Sequence, residues 1–200
     1  MKTIESVEEL AALYPEPAAR SLTKVNSQIS PLYRRWIEAS RFLILATVGP
    51  EGCDASPRGD TDNLVKLPDS QTVWVPDWRG NNRLDSLRNI VRDSRVSLMF
   101  MVHGSNNVVR VIGDAVLTAD ATVTNEFRHG DKTPRTVVIV TVREVYFQCA
   151  KALMRSDLWN STSAPASLPT AGDFLREQET GFDANAYDAG YDDYARERLW

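Results

Sequence analysis

Cysteine and histidine are scarce in this chain, which has two of each among its 200 residues. Cys53 and Cys149 are far apart in sequence and form no Cys-x-x-Cys motif, so we expect two free, buried thiols rather than a disulfide. His103 and His129 are equally isolated, and the sequence has no cluster with the spacing of metal ligands. We therefore expect no metal site, and any redox or group-transfer chemistry would need an organic cofactor.

Long apolar runs and an excess of positive charge are also missing. No stretch is apolar enough to span a membrane, and the N-terminus Met-Lys-Thr-Ile-Glu-Ser lacks the apolar segment of a signal peptide. We therefore expect a cytoplasmic protein without membrane attachment. The formal net charge of −4 provides no general attraction to nucleic acid. With 42% hydrophobic and 25% charged residues, the composition is that of a globular protein with a sizeable core.

The hydrophobic pattern indicates a mainly β protein. The apolar run Phe42–Val48, ended by Gly49-Pro50, predicts a strand buried on both faces, and Cys53–Arg58 is its expected return strand. Similar patterns predict further strands at 63–67, 72–75, 95–102, 108–118 and 136–149. Helices are expected at 6–14, from Pro31 onward, and at 82–92, 120–131 and 149–155. Six or seven short strands with tight turns and few helices indicate an antiparallel barrel.

Composition divides the chain into three parts. Residues 1–29 are expected to form an N-terminal extension, 30–160 the barrel, and 161–200 a linker and C-terminal arm. The stretch Ser161–Pro169 is rich in Ser, Ala and Pro, as linkers are. The arm beyond it is acidic and carries aromatic residues at near-helical spacing: Tyr187, Tyr191, Tyr194 and Trp200. We expect this arm to pack on the barrel or on a partner subunit.

The most distinctive stretch is the turn that follows the strand ending at Val75. It is rich in Arg, Asn and Gly and opens the helix expected at 82–92, with Asn82 as the expected N-cap and Asp85 three positions later. Arginine side chains, amides and free backbone N–H groups at a helix start can bind a phosphate. An ordinary strand-turn-helix with a solvated basic first turn explains the same pattern. Asp85 would also compete with an anion for the helix dipole.

Four sequence blocks stand in order along the chain: Ser56–Asp60, Pro76–Leu87, Val109–Gly113, and Cys149–Ser156 followed by Leu158-Trp159. In this order they resemble the pyridoxamine 5′-phosphate oxidase-like family of flavin-binding split barrels, and within it the bacterial branch called pyridoxamine 5′-phosphate oxidase-related. The resemblance covers about residues 30–160. It implies a six-stranded antiparallel split barrel of the FMN-binding type. It also implies a homodimer with two FMN molecules in clefts between the subunits.

The resemblance further implies which residues bind FMN. Arg58, Asn82 and Arg83, supported by Ser86, would hold the phosphate, and the strand end and turn would run beside the isoalloxazine ring. Lys151, Arg155 and Trp159 would approach from the other subunit. Alternatively, Arg58 pairs with Asp60 or Asp62, Trp78 is an ordinary aromatic residue, and Lys151 and Arg155 form salt bridges between subunits. The complete expected set is Arg58, Val75, Pro76, Asp77, Trp78, Arg79, Asn81, Asn82, Arg83, Ser86, Lys151, Arg155 and Trp159.

The function implied is that of an FMN-dependent oxidoreductase, with NAD(P)H-dependent reduction of a small molecule or of the flavin itself. No side chain stands out as a general base, and electron transfer through a flavin requires none. One alternative is a non-catalytic protein that binds FMN or haem for storage or sensing; another is a reductase that uses a deazaflavin. The Arg-x-Val-Leu-Leu-Lys and Ser-Arg-Lys signatures of the true oxidases are missing, as is their C-terminal substrate-phosphate segment. We therefore expect that pyridoxamine phosphate is not the substrate.

Overall fold

The centre of the protein is a six-stranded antiparallel sheet. The computed structural model describes residues 1–160, 164–165 and 167–200. The strands are β1 (Phe42–Gly49), β2 (Gly52–Gly59), β3 (Thr72–Asp77), β4 (Arg95–Met101), β5 (Val108–Thr118) and β6 (Thr136–Gln148). They are hydrogen-bonded in the order β2-β1-β4-β5-β6-β3, so β2 and β3 form the two edges. The sheet curls into a half-barrel, which confirms the predicted six-stranded antiparallel split barrel.

Helices stand before, between and after the strands in the chain. They are α1 (Val7–Ala11), α2 (Ala19–Thr23), α3 (Pro31–Glu38), α4 (Asp85–Arg92), α5 (Ala121–Thr124), α6 (Lys151–Ser156), α7 (Ala171–Gln178) and α8 (Ala184–Arg196). Pro31 begins α3 behind Ser30, whose hydroxyl accepts the Tyr33 N–H at 3.4 Å. The helix expected at 120–131 is limited to α5 and a 3₁₀ turn at Asn125–Phe127.

The core lies on one side of the sheet, and it is built by alternate residues of the strands. Leu43 and Leu45 of β1, for example, are completely buried, as expected for side chains that alternate between the two faces. Ile37 of α3, together with Leu87 and Ile90 of α4, closes this core. The prediction that β1 is buried on both faces is wrong within one chain. An antiparallel sheet covered on one side leaves the alternate residues Ile44, Ala46 and Val48 only half-buried.

Two further expectations, one about a strand and one about the burial of the cysteines, are also wrong. The strand predicted at 63–67 is reduced to one bridge, in which Lys66 and Trp74 exchange backbone hydrogen bonds of 3.0 and 2.8 Å. Pro68 follows directly and has no N–H with which to extend the pairing. Cys53 and Cys149 are free, as expected, but they are exposed rather than buried. Cys53 lies on the outer face of the edge strand β2, and Cys149 follows the end of β6.

The C-terminal arm contains two helices that pack closely. A Cβ added at Gly172 of α7 would lie 2.6 Å from the Ala184 carbonyl oxygen of α8, so only glycine allows this approach. The Gly172 N–H donates to an Asp188 carboxylate oxygen at 2.9 Å and fixes the pair. Four of the nine residues of the linker expected at Ser161–Pro169 lie outside the described residues, and the three-part division of the chain stays a prediction. None of the helices in the described part of the chain combines the length and apolar character needed to cross a membrane.

Candidate functional site

A cleft of about 1010 Å³ opens where the two edges of the sheet approach each other. One wall is β2, which contributes Asp54, Ser56 and Arg58; alternate residues of a strand point to the same side. The other walls are the end of β3, the turn into α4, the residues just before β6, and Leu199 with Trp200. This volume is at the upper end of the range for small-molecule and cofactor sites.

The expected site residues divide into two groups. Nine of the thirteen line the cleft: Arg58, Pro76, Asp77, Trp78, Arg79, Asn81, Asn82, Arg83 and Ser86. Val75 does not, because its side chain is completely buried in the core. The structure thus brings together the residues of β2 and of the β3–α4 turn, which are separated by about twenty residues in sequence.

The other three expected residues lie elsewhere in the chain. Lys151 and Arg155 are on α6, which follows the far end of the 13-residue strand β6, whereas the cleft is at the beginning of that strand. Trp159 donates its indole N–H to the Ser105 carbonyl oxygen at 2.8 Å and packs edge-on against the His103 ring, with centroids 5.2 Å apart. Within one chain these residues therefore do not reach the cleft.

The helix at the cleft begins later than the sequence predicts. Asn82 and Leu84 have φ values of 61° and 62°, so the backbone there is left-handed and α4 starts at Asp85. The prediction of Asn82 as N-cap is therefore wrong. The Asn81 side-chain oxygen accepts the Arg83 N–H at 3.1 Å, and this local turn replaces the expected first helical turn. Leu84 supplies no capping side chain, so the first N–H groups of α4 have no side-chain cap beside the cleft.

Ser86 fixes the start of α4 against β2. Its side chain is buried, and its hydroxyl donates a hydrogen bond to the Asp54 carboxylate. The role expected for Ser86 was support of a phosphate. In the structure its proton is directed to Asp54, so its backbone N–H, in the first turn of α4, is the group that remains for an anion.

Arg58 is held by a carboxylate from the opposite edge of the sheet. Its Nη2 lies 3.5 Å from Asp77 Oδ1, and its Nη1 donates to the Ser56 hydroxyl at 2.6 Å. The proposed pairing with Asp60 or Asp62 is not formed. Asp60 instead accepts the backbone N–H groups of Asp62 and Asn63. Because guanidinium has five donors in a fixed plane, these contacts orient Arg58 and still leave donors for a ligand.

Arg83 is less constrained than Arg58. Its side chain is 74% exposed, and its Nε donates to Asp85 Oδ2 at 2.9 Å. Four arginines and four aspartates line the cleft in total: Arg58, Arg79, Arg83 and Arg135, with Asp54, Asp60, Asp77 and Asp85. Since these charges balance, the cleft would recognise an anion through placed donors rather than through an overall positive field.

Two carboxyl groups in the cleft have pKa values that differ from their ordinary value. Burial raises the pKa of Asp77, and the Arg58 guanidinium only partly opposes this effect. Burial alone would also raise the pKa of Asp60. The backbone N–H groups of Asp62 and Asn63, the Trp200 indole and nearby His129 together hold it below its ordinary value.

We expect Asp77→Asn to increase stability near neutral pH by less than about 1 kcal/mol. A carboxyl whose folded-state pKa is raised destabilises the fold as the pH rises through that value, because ionisation is easier in the unfolded chain. The asparagine variant does not have this cost. The difference in unfolding free energy between variant and parent, measured by urea titration from pH 3 to 8, should be near zero below the ordinary value of 3.8 and then grow. A difference that shrinks with rising pH would contradict this interpretation.

The sequence did not indicate several residues of the cleft. Arg135 and Thr136 line it because β6 begins there and Thr136 lies opposite Asp77 in the antiparallel register of β3 and β6. Trp200 lines it from the end of the C-terminal arm. Arg135 and Thr136 reach the cleft through the pairing of β3 with β6, and no local sequence pattern predicts that pairing. The described residues contain no group of three or more His, Cys, Asp or Glu side chains that could hold a metal ion.

The curled six-stranded sheet and the cleft between its edges define a protein of the split-barrel class. The sequence model of the family described as pyridoxamine 5′-phosphate oxidase matches residues 29–149, and the chain belongs to this family. The matched range includes all six strands and the helix α4 that begins at the cleft. No curated protein matches the sequence significantly.

Solved structures with similar folds include three bacterial proteins. HupZ of Group A Streptococcus is 14% identical, with a TM-score of 0.47, over 66% of this chain and 98% of its own. General Stress Protein 26 of Bacillus anthracis is 17% identical, with a TM-score of 0.43, over 57% and 88% of the two chains. An FMN-binding protein of Syntrophomonas wolfei is 9% identical, with a TM-score of 0.44, over 58% and 88%.

Proposed function

We propose that this protein binds FMN in the cleft and acts as an FMN-dependent oxidoreductase. The observation that carries the proposal is the position of Arg58, held by Asp77 across the cleft and close to the uncapped start of α4. Membership of the family supports the choice of a flavin. The phosphate of FMN is a dianion that arginine and backbone N–H groups bind well. We assign it to Arg58, Arg83 and the first turn of α4, with Asn82 beside them.

The remainder of the cleft fits a planar, polar-edged ring. Pro76, Trp78 and Leu87 contribute apolar surface, and in the described part of the chain the Trp78 indole N–H and the Thr136 hydroxyl are buried without a partner. Unpaired buried polar groups are costly, so a ring that carries acceptors at its edge is a suitable occupant. We therefore assign the isoalloxazine to the side of the cleft formed by Pro76–Arg79, with Asn81 at the turn. When bound, FMN would supply the electron transfer, and the protein would bind and orient it.

We also propose a homodimer in which each subunit completes the cleft of the other. Lys151, Arg155 and Trp159 do not reach the cleft of their own chain, yet all three belong to the set that the family resemblance assigns to the cofactor. In the dimer, Lys151, Arg155 and Trp159 of the partner subunit would lie near the flavin. The electron donor in this proposal is NAD(P)H, and the acceptor is a small molecule or the flavin itself.

The absorbance spectrum of the purified protein is the first test. We expect the bands of an oxidised flavin and, after denaturation, release of a compound with the mass of FMN in equimolar amount with the subunit. Anaerobic addition of NAD(P)H should then bleach these bands. Free FMN at the same concentration, mixed with the same reductant, is the control for the uncatalysed reaction.

Other spectra would replace the proposal with a specific alternative. A Soret band would indicate haem, and a shifted flavin-like spectrum with a different released mass would indicate a deazaflavin. Bound FMN that NAD(P)H does not bleach would indicate a different donor or a binding protein. A colourless protein that also fails to take up added FMN would overturn the flavoprotein assignment altogether.

A further inference from the structure

The last residue of the C-terminal arm is docked beside the cleft through two specific contacts. The Trp200 indole stacks on the His129 imidazole, with ring centroids 3.8 Å apart and planes inclined by 9°. Its Nε1–H donates to Asp60 Oδ2 at 3.2 Å. Trp200 is only half-exposed, whereas Tyr191 and Tyr194 of the preceding helix are 46% and 57% exposed. These contacts fix both the plane and the rotation of the indole ring.

The two partners of Trp200 are themselves held in place by backbone hydrogen bonds of their own loops. Asp60 accepts backbone N–H groups at 2.9 and 3.2 Å from the loop that follows β2. His129 is paired with Lys132 through two backbone hydrogen bonds, which form a tight turn closed by Gly130 at φ 58°. A tryptophan docked on two fixed groups is a positioned wall of the cleft rather than a loosely attached end.

We propose that Trp200 is a ligand-contacting residue of the cleft, positioned by His129 and Asp60 to cover the bound ring system. Leu199 and Trp200 both line the cleft that contains Arg58, Asp77 and Trp78. An aromatic wall on a planar ligand provides stacking and excludes water from it. This inference rests on the proposed function for the identity of the ligand, FMN. The docking of Trp200 itself does not depend on that identity.

Trp200→Ala, Trp200→Phe and Phe174→Ala form a matched set of variants for the test. Alanine removes the stack and the hydrogen bond, whereas phenylalanine keeps a ring for His129 and loses only the bond to Asp60. Phe174 is an exposed aromatic residue of the same arm that lies outside the cleft, so its replacement controls for the loss of an aromatic side chain.

Two readouts separate the docking from the ligand contact. Hydrogen exchange of the full-length protein reports whether residues 54–60 and 128–135 lose protection, and this readout does not require a ligand. The rate at which FMN fluorescence appears after dilution reports release of the cofactor. For Trp200→Ala we expect lost protection in both segments and release about two to ten times faster, the range for one aromatic contact. Trp200→Phe should be intermediate, and Phe174→Ala should match the parent.

Each contrary result has a distinct meaning. Unchanged protection in Trp200→Ala would show that the indole is not docked in solution, and it would overturn the inference. Lost protection with unchanged FMN release would show a docked residue that does not contact the ligand, and this too would overturn it. If the parent takes up no FMN, the proposed function and the flavin contact both fail. The exchange data would still decide whether Trp200 closes the cleft.

Discussion

Replacement of Arg58 by alanine is expected to lower the affinity for FMN by about ten- to a hundredfold. This range corresponds to 1.5–3 kcal/mol for hydrogen bonds to a charged group. Arg58 is the most constrained arginine described in the cleft: its side chain is 23% exposed, and Asp77 and Ser56 fix its plane before any ligand binds. The affinity for riboflavin, which lacks the phosphate, should change little. The measurement is a fluorescence titration of both compounds with the apoprotein.

Three further variants test whether the loss of affinity comes from the contact of Arg58 with the phosphate. Arg58→Lys keeps the charge but not the planar fork, and we expect it to recover only part of the FMN affinity. Arg83→Ala should have a smaller effect than Arg58→Ala because Arg83 is largely solvated and already bonded to Asp85. Arg92→Ala removes an arginine from the other end of α4, where it pairs with Glu51, and serves as the control. Equal losses for FMN and riboflavin in Arg58→Ala would show that Arg58 does not bind the phosphate.

Gly113→Ala is expected to destabilise the fold by about 3 kcal/mol. Gly113 lies at the irregularity where the β5–β6 register shifts, and a Cβ added there would meet the Thr141 carbonyl oxygen at 2.1 Å. The obstacle is backbone of a central strand, which cannot rotate away as a side chain can. In a protein of this size, the loss corresponds to a melting temperature lower by roughly 6–12 °C.

Gly59→Ala is the matched control for this substitution. Gly59 is also a strand glycine, but an added Cβ would meet its nearest atoms at 3.6 and 3.8 Å, which are ordinary contact distances. We expect its unfolding free energy, from urea denaturation of the protein without added flavin, to stay within about 0.5 kcal/mol of the parent. If both variants lose the same stability, the cause is a general property of alanine in these strands and not the contact with Thr141.

Local sequence patterns predict the strands of this fold well and their arrangement only in part. The turn at Gly49-Pro50 and the apolar run before it correctly place β1 and β2, because neighbouring strands joined by a tight turn must pair. The side-by-side position of β3 and β6 depends on strands separated by about sixty residues, and no local pattern contains it. That β1 is buried on a single face also follows from this arrangement of the whole sheet.

The residues of the candidate site could likewise be predicted from the sequence only in part. The β3–α4 turn is identifiable from its Arg, Asn and Gly content, and the structure places it in the cleft. The start of α4 is mispredicted because Asn82 and Leu84 adopt left-handed backbone, and leucine gives no sequence signal for that conformation. Arg58 could be assigned a partner only once β2 and β3 were seen to face each other. Trp200 reaches the cleft from the far end of the chain, which spacing rules do not address.

The ion pair of Arg58 with Asp77 has a consequence for how the barrel holds together. β2 and β3 are the first and last strands in hydrogen-bond order, so no backbone bond joins them, and this pair connects the two margins of an open seam. An occupant of the cleft that contacts both β2 and β3 would link the two edge strands. Its binding energy would then add to the cohesion of the entire sheet rather than to one loop. Ligand binding would therefore also close the barrel between β2 and β3.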